Sequence, residues 1–359
     1  MNESTPAAQL PVKAGSRAFA WASVAILGLI ASLCLIGPLF SGHPFDKVYR
    51  DYVLVRPSLF AHPDPAEARE TLEWVARRMH VEIEAIRNDG NVFHLTLISE
   101  RPLDPRALRA FERSDTFEAA RLVETSEEGR RLSIDVPLKR VVFLFGTDAN
   151  GRDLFTRTLI AGRVSLAVGL LASLVALTIG VAYGAVAGYA GGRADVVMMR
   201  IVEIIYALPF IFFVIVLVMV FGRHFVLIFV AIGAVEWLDM ARIVRGQTLS
   251  IKQRDFVAAA EALGAAAPAI LWRHVIPNAL GPILAYLTVL VPRVILLESF
   301  VSFLGLGVQE PQTSWGVLIA DGARNIQGSI HLLIFPALFL GATLGALQSL
   351  GNALHARHG

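Results

Sequence analysis

The sequence is poor in the residues that support covalent or metal chemistry. Cys34 is the only cysteine, which excludes an intramolecular disulfide and a cysteine metal site. The nine histidines form no HExxH pattern and no close cluster, and no GxSxG stretch is present. The sequence therefore predicts no catalytic residue and no metal site.

The sequence also has few charges. Charged residues make up only 17% of the chain, and the arginines and lysines form no dense basic patch, so nucleic-acid binding is not indicated. None of the four lysines is followed by serine or threonine, so the chain lacks the phosphate loop GxxxxGK followed by serine or threonine. ATP, if the function needs it, must be bound by another polypeptide.

Apolar residues dominate what remains. They make up 55% of the 359 residues, and the mean hydropathy is +0.59. They fall in blocks of the length, about 20 residues, that a helix needs to cross roughly 30 Å of hydrocarbon. Pro209, Pro292 and Pro336 are expected to kink these helices rather than end them. The six predicted spans are 19–40, 165–189, 201–221, 225–241, 280–304 and 331–350.

The distribution of basic residues predicts the orientation of these spans. With a cytoplasmic N-terminus, ten basic residues lie inside and two lie in short outer loops. Both termini are therefore expected in the cytoplasm. The inner residues are Lys13, Arg17, Arg193, Arg200, Arg242, Arg245, Lys252, Arg254, Arg273 and Arg357, and the outer ones are Arg223 and Arg324.

The first apolar run follows a short basic segment, as in a signal peptide. It is longer than a usual signal-peptide core and lacks a clear small-residue cleavage site. An uncleaved first span is the favoured interpretation.

About a hundred residues of ordinary soluble composition separate the first two spans. A helix is predicted over 65–79, followed by a hairpin with strands 81–86 and 91–98 and a turn at Asn88, Asp89 and Gly90. A second helix over 104–113 and strands 118–125 and 131–137 follow. This segment is either a solvated insertion that folds by itself or a docking surface for a soluble partner, and the sequence leaves both open.

A basic, helix-forming stretch, residues 242–278, lies between two apolar runs. A short helix is predicted with Asp255 as its N-cap and Gly264 at its end. Phe256, Ala260 and Leu263 are expected on one face, with Ala258 and Glu261 opposite. Such an apolar face inserts into a partner's groove or lies on lipid headgroups.

Small residues recur every four positions in two spans. Gly180, Gly184 and Gly188 continue a stripe that begins with Ala172 and Ala176. The last span repeats the pattern with Ala337, Gly341, Gly345 and Ser349. Stripes of this kind let a neighbouring helix approach closely, either within the chain or on a homologous partner.

Four acidic residues fall near membrane depth, where ionisable groups are rare. Glu203 and Glu236 lie near predicted span ends, where water, Arg200 or Arg242 would satisfy them. Asp239 belongs to the same group. Glu298 is deeper, and it either pairs with Arg293 or lines the translocation path.

Four stretches resemble the inner-membrane permease subunits of binding-protein-dependent ABC importers, in the oligopeptide, dipeptide and nickel group. They are FGTDANGRDLFTRTLIAGRVSL at 145–166, GYAGGRADVVMMRIVEIIYALP at 188–209, VAAAEALG followed by RHVIPN at 257–278, and ESFVSFLGLGVQEPQTSWG at 298–316. The third is similar to the family's EAA loop. The likeness covers about residues 145–352, with the first span added by position.

The resemblance implies an all-α transmembrane bundle of six helices, the ABC importer type I permease fold, with a small α+β extracytoplasmic insertion between the first and second spans. The implied segments are a cytoplasmic tail at 1–18, the first transmembrane helix at 19–41, the insertion at 42–145, a five-helix permease core at 146–352 with the coupling loop 242–278, and a cytoplasmic tail at 353–359.

The resemblance further implies a bacterial inner-membrane subunit of an importer for short peptides or related solutes, with no enzymatic activity of its own. Its partners would be a homologous second permease, two cytoplasmic ABC ATPases, a periplasmic or extracellular solute-binding protein and membrane lipid. The chain would bind no cofactor, since ATP and magnesium belong to the ATPases. The implied ATPase-coupling residues are Asp255, Phe256, Val257, Ala258, Ala259, Ala260, Glu261, Leu263, Gly264, Arg273, His274, Pro277 and Asn278.

Two features depart from the family pattern. Ala258 occupies the position of the usual EAA glutamate, and Glu261 follows three residues later. The insertion is also longer than the family's usual first outer loop. The alternative from a different class is a membrane-anchored sensor or assembly factor that acts through this insertion, although the sequence shows no cytoplasmic output domain.

Overall fold

The computed structural model describes residues 13–126, 129–222 and 225–358. Within the predicted terminal tails, residues 1–12 and Gly359 lie outside the described residues, as does the predicted outer-loop residue Arg223. The chain forms two compact units. The insertion unit comprises Ser41–Arg157 and Asn325–Leu332, and the helical unit comprises the described residues of Met1–Phe40, Thr158–Arg324 and Leu333–Gly359.

The insertion unit contains a well-capped helix, α2, over Pro65–Met79. Asp64 Oδ1 accepts hydrogen bonds from the backbone N–H groups of Ala66 and Glu67, both at 2.8 Å. The Glu67 carboxylate in turn accepts a bond from the Asp64 N–H at 3.1 Å, which completes a capping box. The predicted helix over 65–79 is confirmed.

The hairpin is also confirmed, with β1 over Glu82–Asn88 and β2 over Val92–Ile98. Gly90 has φ +80° and donates its N–H to Asn88 Oδ1 at 2.8 Å, so the turn uses the residue that tolerates a left-handed backbone. The remaining strands are β3 over Arg121–Ser126 and β4 over Arg131–Pro137. The antiparallel sheet has the order β1-β2-β4-β3.

One face of this sheet forms the core of the insertion unit. Alternate residues of β2 and β4 are buried, as the two-residue period of a strand requires. The predicted helix over 104–113 is a 3-10 turn, Pro105–Leu108, followed by the single-turn helix α3, Arg109–Glu112. The core side chains are Leu72, Val75, Phe93, Leu95, Leu97, Phe111, Leu132, Ile134 and Val136.

The insertion unit extends beyond the expected boundary at residue 145. The N–H groups of Tyr49 and Leu54 donate to the carbonyls of Gly151 (2.9 Å) and Asp148 (3.2 Å). The N–H of Thr147 donates to the Val55 carbonyl at 3.0 Å. These bonds hold the segment after β4 to the start of the unit, so it packs there rather than with the permease core.

The helical unit is built from long apolar helices joined by short ones. Four described helical stretches are long and apolar enough to cross a membrane: Phe19–Phe40, Leu154–Ala190, Ala267–Phe303 and His331–Ala353. The helices are α1 Lys13–Phe40, α4 Leu154–Ala190, α5 Gly192–Ala207, α6 Phe210–Phe221, α7 Phe225–Lys252, α8 Asp255–Ala262, α9 Ala267–Ile270, α10 Ile276–Phe303, α11 Trp315–Arg324 and α12 His331–His358. A π-helical segment, Leu271–Val275, joins α9 to α10.

The predicted span over 201–221 is broken rather than kinked. The helices α5 and α6 meet at an angle of 80°, and together they would make a fifth span. Pro209 has no N–H to continue the helix and disfavours helical backbone at Leu208, whose ψ is 125°. The expectation for Pro209 is therefore wrong, whereas Pro292 and Pro336 lie inside α10 and α12 as predicted.

The loop and tail boundaries also differ from the expectation. Helix α7 continues through residues 242–252, so the connecting segment is shorter than the predicted loop 242–278. The C-terminal tail at 353–359 is not separate, because α12 runs on to His358. The core of the helical unit lies mainly between α4, α7 and α10, with Val168, Ile232, Val244, Leu290 and Val294 buried in it.

Candidate functional site

The polar segment after α7 contains an eight-residue helix, α8, whose C-terminal end is closely defined. Gly264 has φ +79°, and its N–H donates to the Glu261 carbonyl at 2.9 Å. The N–H of Ala265 donates to the Ala260 carbonyl at 3.1 Å, which makes a Schellman motif. The predicted end at Gly264 is confirmed. Asp255 is the first helical residue and not the N-cap, which is Arg254.

The faces of α8 are arranged differently from the prediction. Val257 is fully buried, and Ala260 packs against the same core. Leu263 is 88% exposed and Phe256 is 38% exposed, so the face that they share with Ala260 by helical spacing is only partly turned toward the core. A helix this short and rich in alanine has no strong apolar period, and packing against the unit decides which face turns inward. The outward face of α8 therefore carries two large apolar groups.

Glu261 is hydrogen-bonded to a residue at the end of α4. Tyr189 Oη donates a hydrogen bond to Glu261 Oε1 at 2.8 Å. Lys252 Nζ donates to the Tyr189 carbonyl at 2.6 Å and lies 4.8 Å from the centroid of the Tyr189 ring. One tyrosine thus connects α4, the end of α7 and α8.

The rest of the segment places the RHVIPN residues in the π-helical segment and the start of α10. Arg273 and His274 lie in the π-helical segment, and Pro277 lies in the first turn of α10. Asn278 Nδ2 donates to the His274 carbonyl at 2.6 Å. Ala258 and Ala259 are exposed on α8.

The glycine stripe of α4 lies against α7. A Cβ atom at Gly180 would be 2.6 Å from Met240 Cβ, and one at Gly184 would overlap the Ala241 carbonyl oxygen. A Cβ atom at Gly188 would be 2.8 Å from the Arg245 carbonyl oxygen. Only glycine permits this approach of the two helices.

The second stripe has no such neighbour. Around Gly341 and Gly345 on α12, no described atom lies within 4 Å of an added Cβ atom.

Glu298 on α10 is fully buried and surrounded by hydroxyl groups. Its carboxylate accepts bonds from Ser302 (2.7 Å) and Ser165 (3.0 Å), with Ser299 at 3.4 Å, and Ser314 adds a further bond. Ser165 Oγ also accepts the N–H of Trp315 at 3.3 Å. These bonds connect α4, α10 and the start of α11.

This geometry changes the interpretation of Glu298. Arg293, its expected partner, pairs with other carboxylates, so the predicted Glu298–Arg293 pair is wrong. With no exposed surface, Glu298 does not line an open passage in this conformation.

Glu236 and Asp239, two of the carboxylates predicted near membrane depth, cluster around Arg293. Arg293 Nη1 donates to Asp239 Oδ2 at 2.8 Å, and Arg293 Nε is 3.5 Å from Glu236 Oε2. The expected pairing of Glu236 with Arg242 is wrong, because Arg242 pairs with Asp239 at 3.6 Å. The pairing of Glu203 with Arg200 is confirmed at 2.8 Å.

The GTD and GRD residues before α4 form a compact turn in the insertion unit. Asp148 accepts the backbone N–H groups of Asn150 and Arg152, both at 2.9 Å, and pairs with the Arg152 side chain at 2.8 Å. Thr147 Oγ1 donates to the Tyr52 carbonyl at 2.6 Å. Burial raises the pKa of Tyr52 to about 12. These contacts give the motif a structural role.

Two connections were missed in the sequence. Arg245 of α7 binds Asp195 of α5 through two of its guanidinium nitrogens, Nε at 2.5 Å and Nη2 at 2.6 Å. The contacts of Tyr189 with Glu261 and Lys252 were not predicted either. Residues 50 and 72 positions apart carry no local pattern, so only the tertiary structure brings them together.

The described residues hold no group of three or more histidine, cysteine, aspartate or glutamate side chains placed to bind a metal ion. What they present is a membrane-type helical unit with an exposed apolar helix between two long helices. That arrangement is typical of a membrane transport component.

Comparison with known proteins agrees with this class. Residues 180–357 match the family described as binding-protein-dependent transport system inner membrane component. The chain is 54% identical over 210 residues to the oligopeptide transport system permease protein OppC of Haemophilus influenzae. The aligned region covers 58% of this chain and 68% of that protein. The chain therefore belongs to the family of inner-membrane components of binding-protein-dependent transport systems.

Two further relatives align over nearly the same number of residues. OppC of Escherichia coli K12 is 55% identical over 210 residues, 58% of this chain and 70% of that protein. The dipeptide transport system permease protein DppC of Bacillus subtilis is 47% identical over 211 residues, 58% of this chain and 66% of that protein.

Proposed function

We propose that this chain is one of two permease subunits of an ATP-driven importer for short peptides. The similarity to relatives named oligopeptide and dipeptide permeases supports this substrate class. The chain itself is a permease subunit and not an enzyme. A second permease, two cytoplasmic ATPases that bind ATP and magnesium, and a solute-binding protein complete the proposed assembly.

The proposed membrane topology has six spans. They are α1, α4, the bent pair α5–α6, α7, α10 and α12. Helix α7 is included although its middle carries Glu236, Asp239 and Arg242, because these charges have partners within the helical unit. Both termini and α8 then lie in the cytoplasm, and the insertion unit lies outside, as the excess of inner basic residues predicts.

The proposed coupling element is α8 with the residues that follow it. The observation that carries this proposal is the exposure of Leu263 (88%) and Phe256 (38%) on a helix that Val257 anchors to the core. An exposed apolar pair on a short fixed helix is suited to a groove on a partner, and we assign that groove to the ATPase. We assign the remaining residues of this segment, from Asp255 to Asn278, to the same coupling element.

Coupling by this route is mechanical. The ATPases shift the bundle between inward-open and outward-open states only through their different affinities for the two arrangements. Because Glu261 is bonded to Tyr189, a displacement of α8 moves the end of α4. Ala258 leaves the family's glutamate position without a charge, so the ATPase contact depends on apolar burial.

The test compares Leu263→Glu with Leu59→Glu, a control at a residue that is 83% exposed in the insertion unit. Burying a leucine stabilises a complex by about 1.5–3 kcal/mol, so Leu263→Glu should weaken ATPase binding roughly tenfold or more. Co-purification of the ATPases and ATP-dependent uptake of radiolabelled trialanine are measured for both variants. Retention of the ATPases by the Leu263→Glu variant would contradict the coupling proposal, and failure of the wild type to import any peptide would contradict the substrate class.

A further inference from the structure

A cavity of about 610 Å³ lies at the break between α5 and α6. Leu208 and Pro209 of the break form part of its wall, and Glu236 of α7 and Arg293 of α10 also line it. Non-helical backbone at membrane depth is tolerated where it is buried in protein or lines a cavity, and broken spans are common at transporter binding sites. The volume is within the range of small-molecule sites.

Glu236 has an unused acceptor in this cavity. The residue is only 3% exposed, and its Oε2 atom accepts no hydrogen bond from any residue in the described part of the chain. Arg293 Nε is 3.5 Å from this oxygen, at ion-pair distance but without a hydrogen bond. A buried carboxylate oxygen left in this state is costly unless a donor reaches it.

The neighbouring cations also contact other groups. Arg293 donates to Asp239 at 2.8 Å. Arg242 lies 4.2 Å from the centroid of the Tyr206 ring and pairs with Asp239 at 3.6 Å. Glu236 Oε2 is therefore ion-paired with Arg293 but still lacks a hydrogen-bond donor.

The walls restrict what can carry that donor. The cavity has a mainly apolar lining that includes the aromatic rings of Tyr206, Phe210 and Phe300. Aromatic faces attract cations and pack against apolar side chains. The site is suited to an ammonium group joined directly to a small apolar group.

We propose that Glu236 and this cavity bind the N-terminal ammonium group and first side chain of a peptide as it passes through the transporter. This inference rests on the proposed function. The peptide occupies the cavity transiently, with the Glu236 carboxylate as the acceptor for the ammonium group and Arg293 as the group that holds the glutamate in place.

The first test compares uptake of radiolabelled trialanine by the reconstituted transporter with wild-type chain, Glu236→Gln and Glu203→Gln. Glu203 is a matched control on α5, since its carboxylate is paired with Arg200 and does not line the cavity. Glu236→Gln should lower uptake about tenfold, while complex assembly and ATP hydrolysis persist. Wild-type uptake by the Glu236→Gln variant would overturn the inference and leave the proposed function intact, whereas no uptake by the wild type would contradict the proposed function itself.

A second measurement tests the inference even if Glu236→Gln impairs assembly. Benzoylphenylalanine in place of Phe300 is photo-cross-linked in the assembled transporter, at millimolar peptide and without the binding protein. Labelled trialanine should cross-link several-fold more than labelled N-acetyl-trialanine, which lacks the ammonium group. Equal yields, or cross-linking to phospholipid alone, would overturn the inference.

Discussion

Tyr189 at the end of α4 donates a hydrogen bond to Glu261 of α8 across 2.8 Å. The same tyrosine accepts a bond from Lys252 at the end of α7 through its backbone carbonyl. The glutamate that follows the usual family position by three residues is therefore bonded to another helix of the same chain. This relationship gives the exposed helix a direct connection to a membrane-spanning helix.

Removing either partner of this bond should loosen coupling without dissolving the complex. Tyr189→Phe and Glu261→Gln each remove or weaken a bond worth about 0.5–1.5 kcal/mol, so uptake per ATP hydrolysed should fall a few-fold. Because the two groups act as one, the double variant should be little worse than either single variant. Uptake and ATP hydrolysis measured together check this, and fully additive losses would show that the bond is not the connection.

Enlarging the glycine stripe should separate α4 from α7. A side chain at Gly184 overlaps the Ala241 carbonyl oxygen, and backbone atoms cannot move aside as a flexible side chain does. We expect Gly184→Leu to lower the unfolding temperature of the purified chain, at a cost of about 1–3 kcal/mol or more. Gly341→Leu is the control, since no described atom lies within 4 Å of its added Cβ atom. Equal unfolding temperatures for both variants would be the contrary result.

Glu298 should be important for stability and unimportant for selectivity. Glu298→Gln retains an oxygen acceptor for the surrounding serines, so assembly and peptide selectivity should persist. Glu298→Ala leaves Ser165 and Ser302 unpaired and opens a cavity, for a loss of about 2–4 kcal/mol. Thermal unfolding and competition between peptides are the two measurements. A change of selectivity with Glu298→Gln would return this residue to the translocation path.

The insertion unit should lose stability at high pH through Tyr52. Its folded pKa of about 12 lies above the ordinary tyrosine value near 10, so the unfolded chain releases its proton first. The unfolded state then binds fewer protons between these values, and the contribution of Tyr52 to stability declines as pH rises from about 10 to about 12. Unfolding of wild type and Tyr52→Phe across this range measures the difference. A parallel pH dependence in both would refute the assignment.

Local chemistry made the insertion unit predictable. The capping residues Asp64 and Glu67 fix the start of α2, and Asn88 and Gly90 fix the turn of the hairpin, within a few residues of each other in the sequence. Hydrophobic blocks likewise identified most of the long helices, because length and composition alone decide whether a helix can span a bilayer.

The features that the sequence did not reveal depend on contacts between residues far apart in the sequence, or on a balance between a lost helical bond and the packing of the bundle. The break at Pro209 depends on whether the rest of the bundle compensates for a lost helical bond, and here the chain turns instead. Val257 packs into the core and so decides which face of α8 turns inward. Arg293 pairs with Asp239 rather than with Glu298 because α7 lies beside α10. Residue types in sequence do not determine such choices.

The central claim, that α8 receives the force of the ATPases, is tested most directly by cross-linking from its exposed face in the assembled transporter. With Cys34 replaced by alanine, a cysteine at Leu263 carries a photoreactive group, and one at Leu174, a residue that is 54% exposed on α4, serves as the control. We predict that the group at residue 263 cross-links to the ATPase and that the group at residue 174 cross-links to lipid. Labelling of residue 263 by a membrane-impermeant reagent from outside the cell, or its cross-linking to phospholipid alone during uptake, would contradict the account.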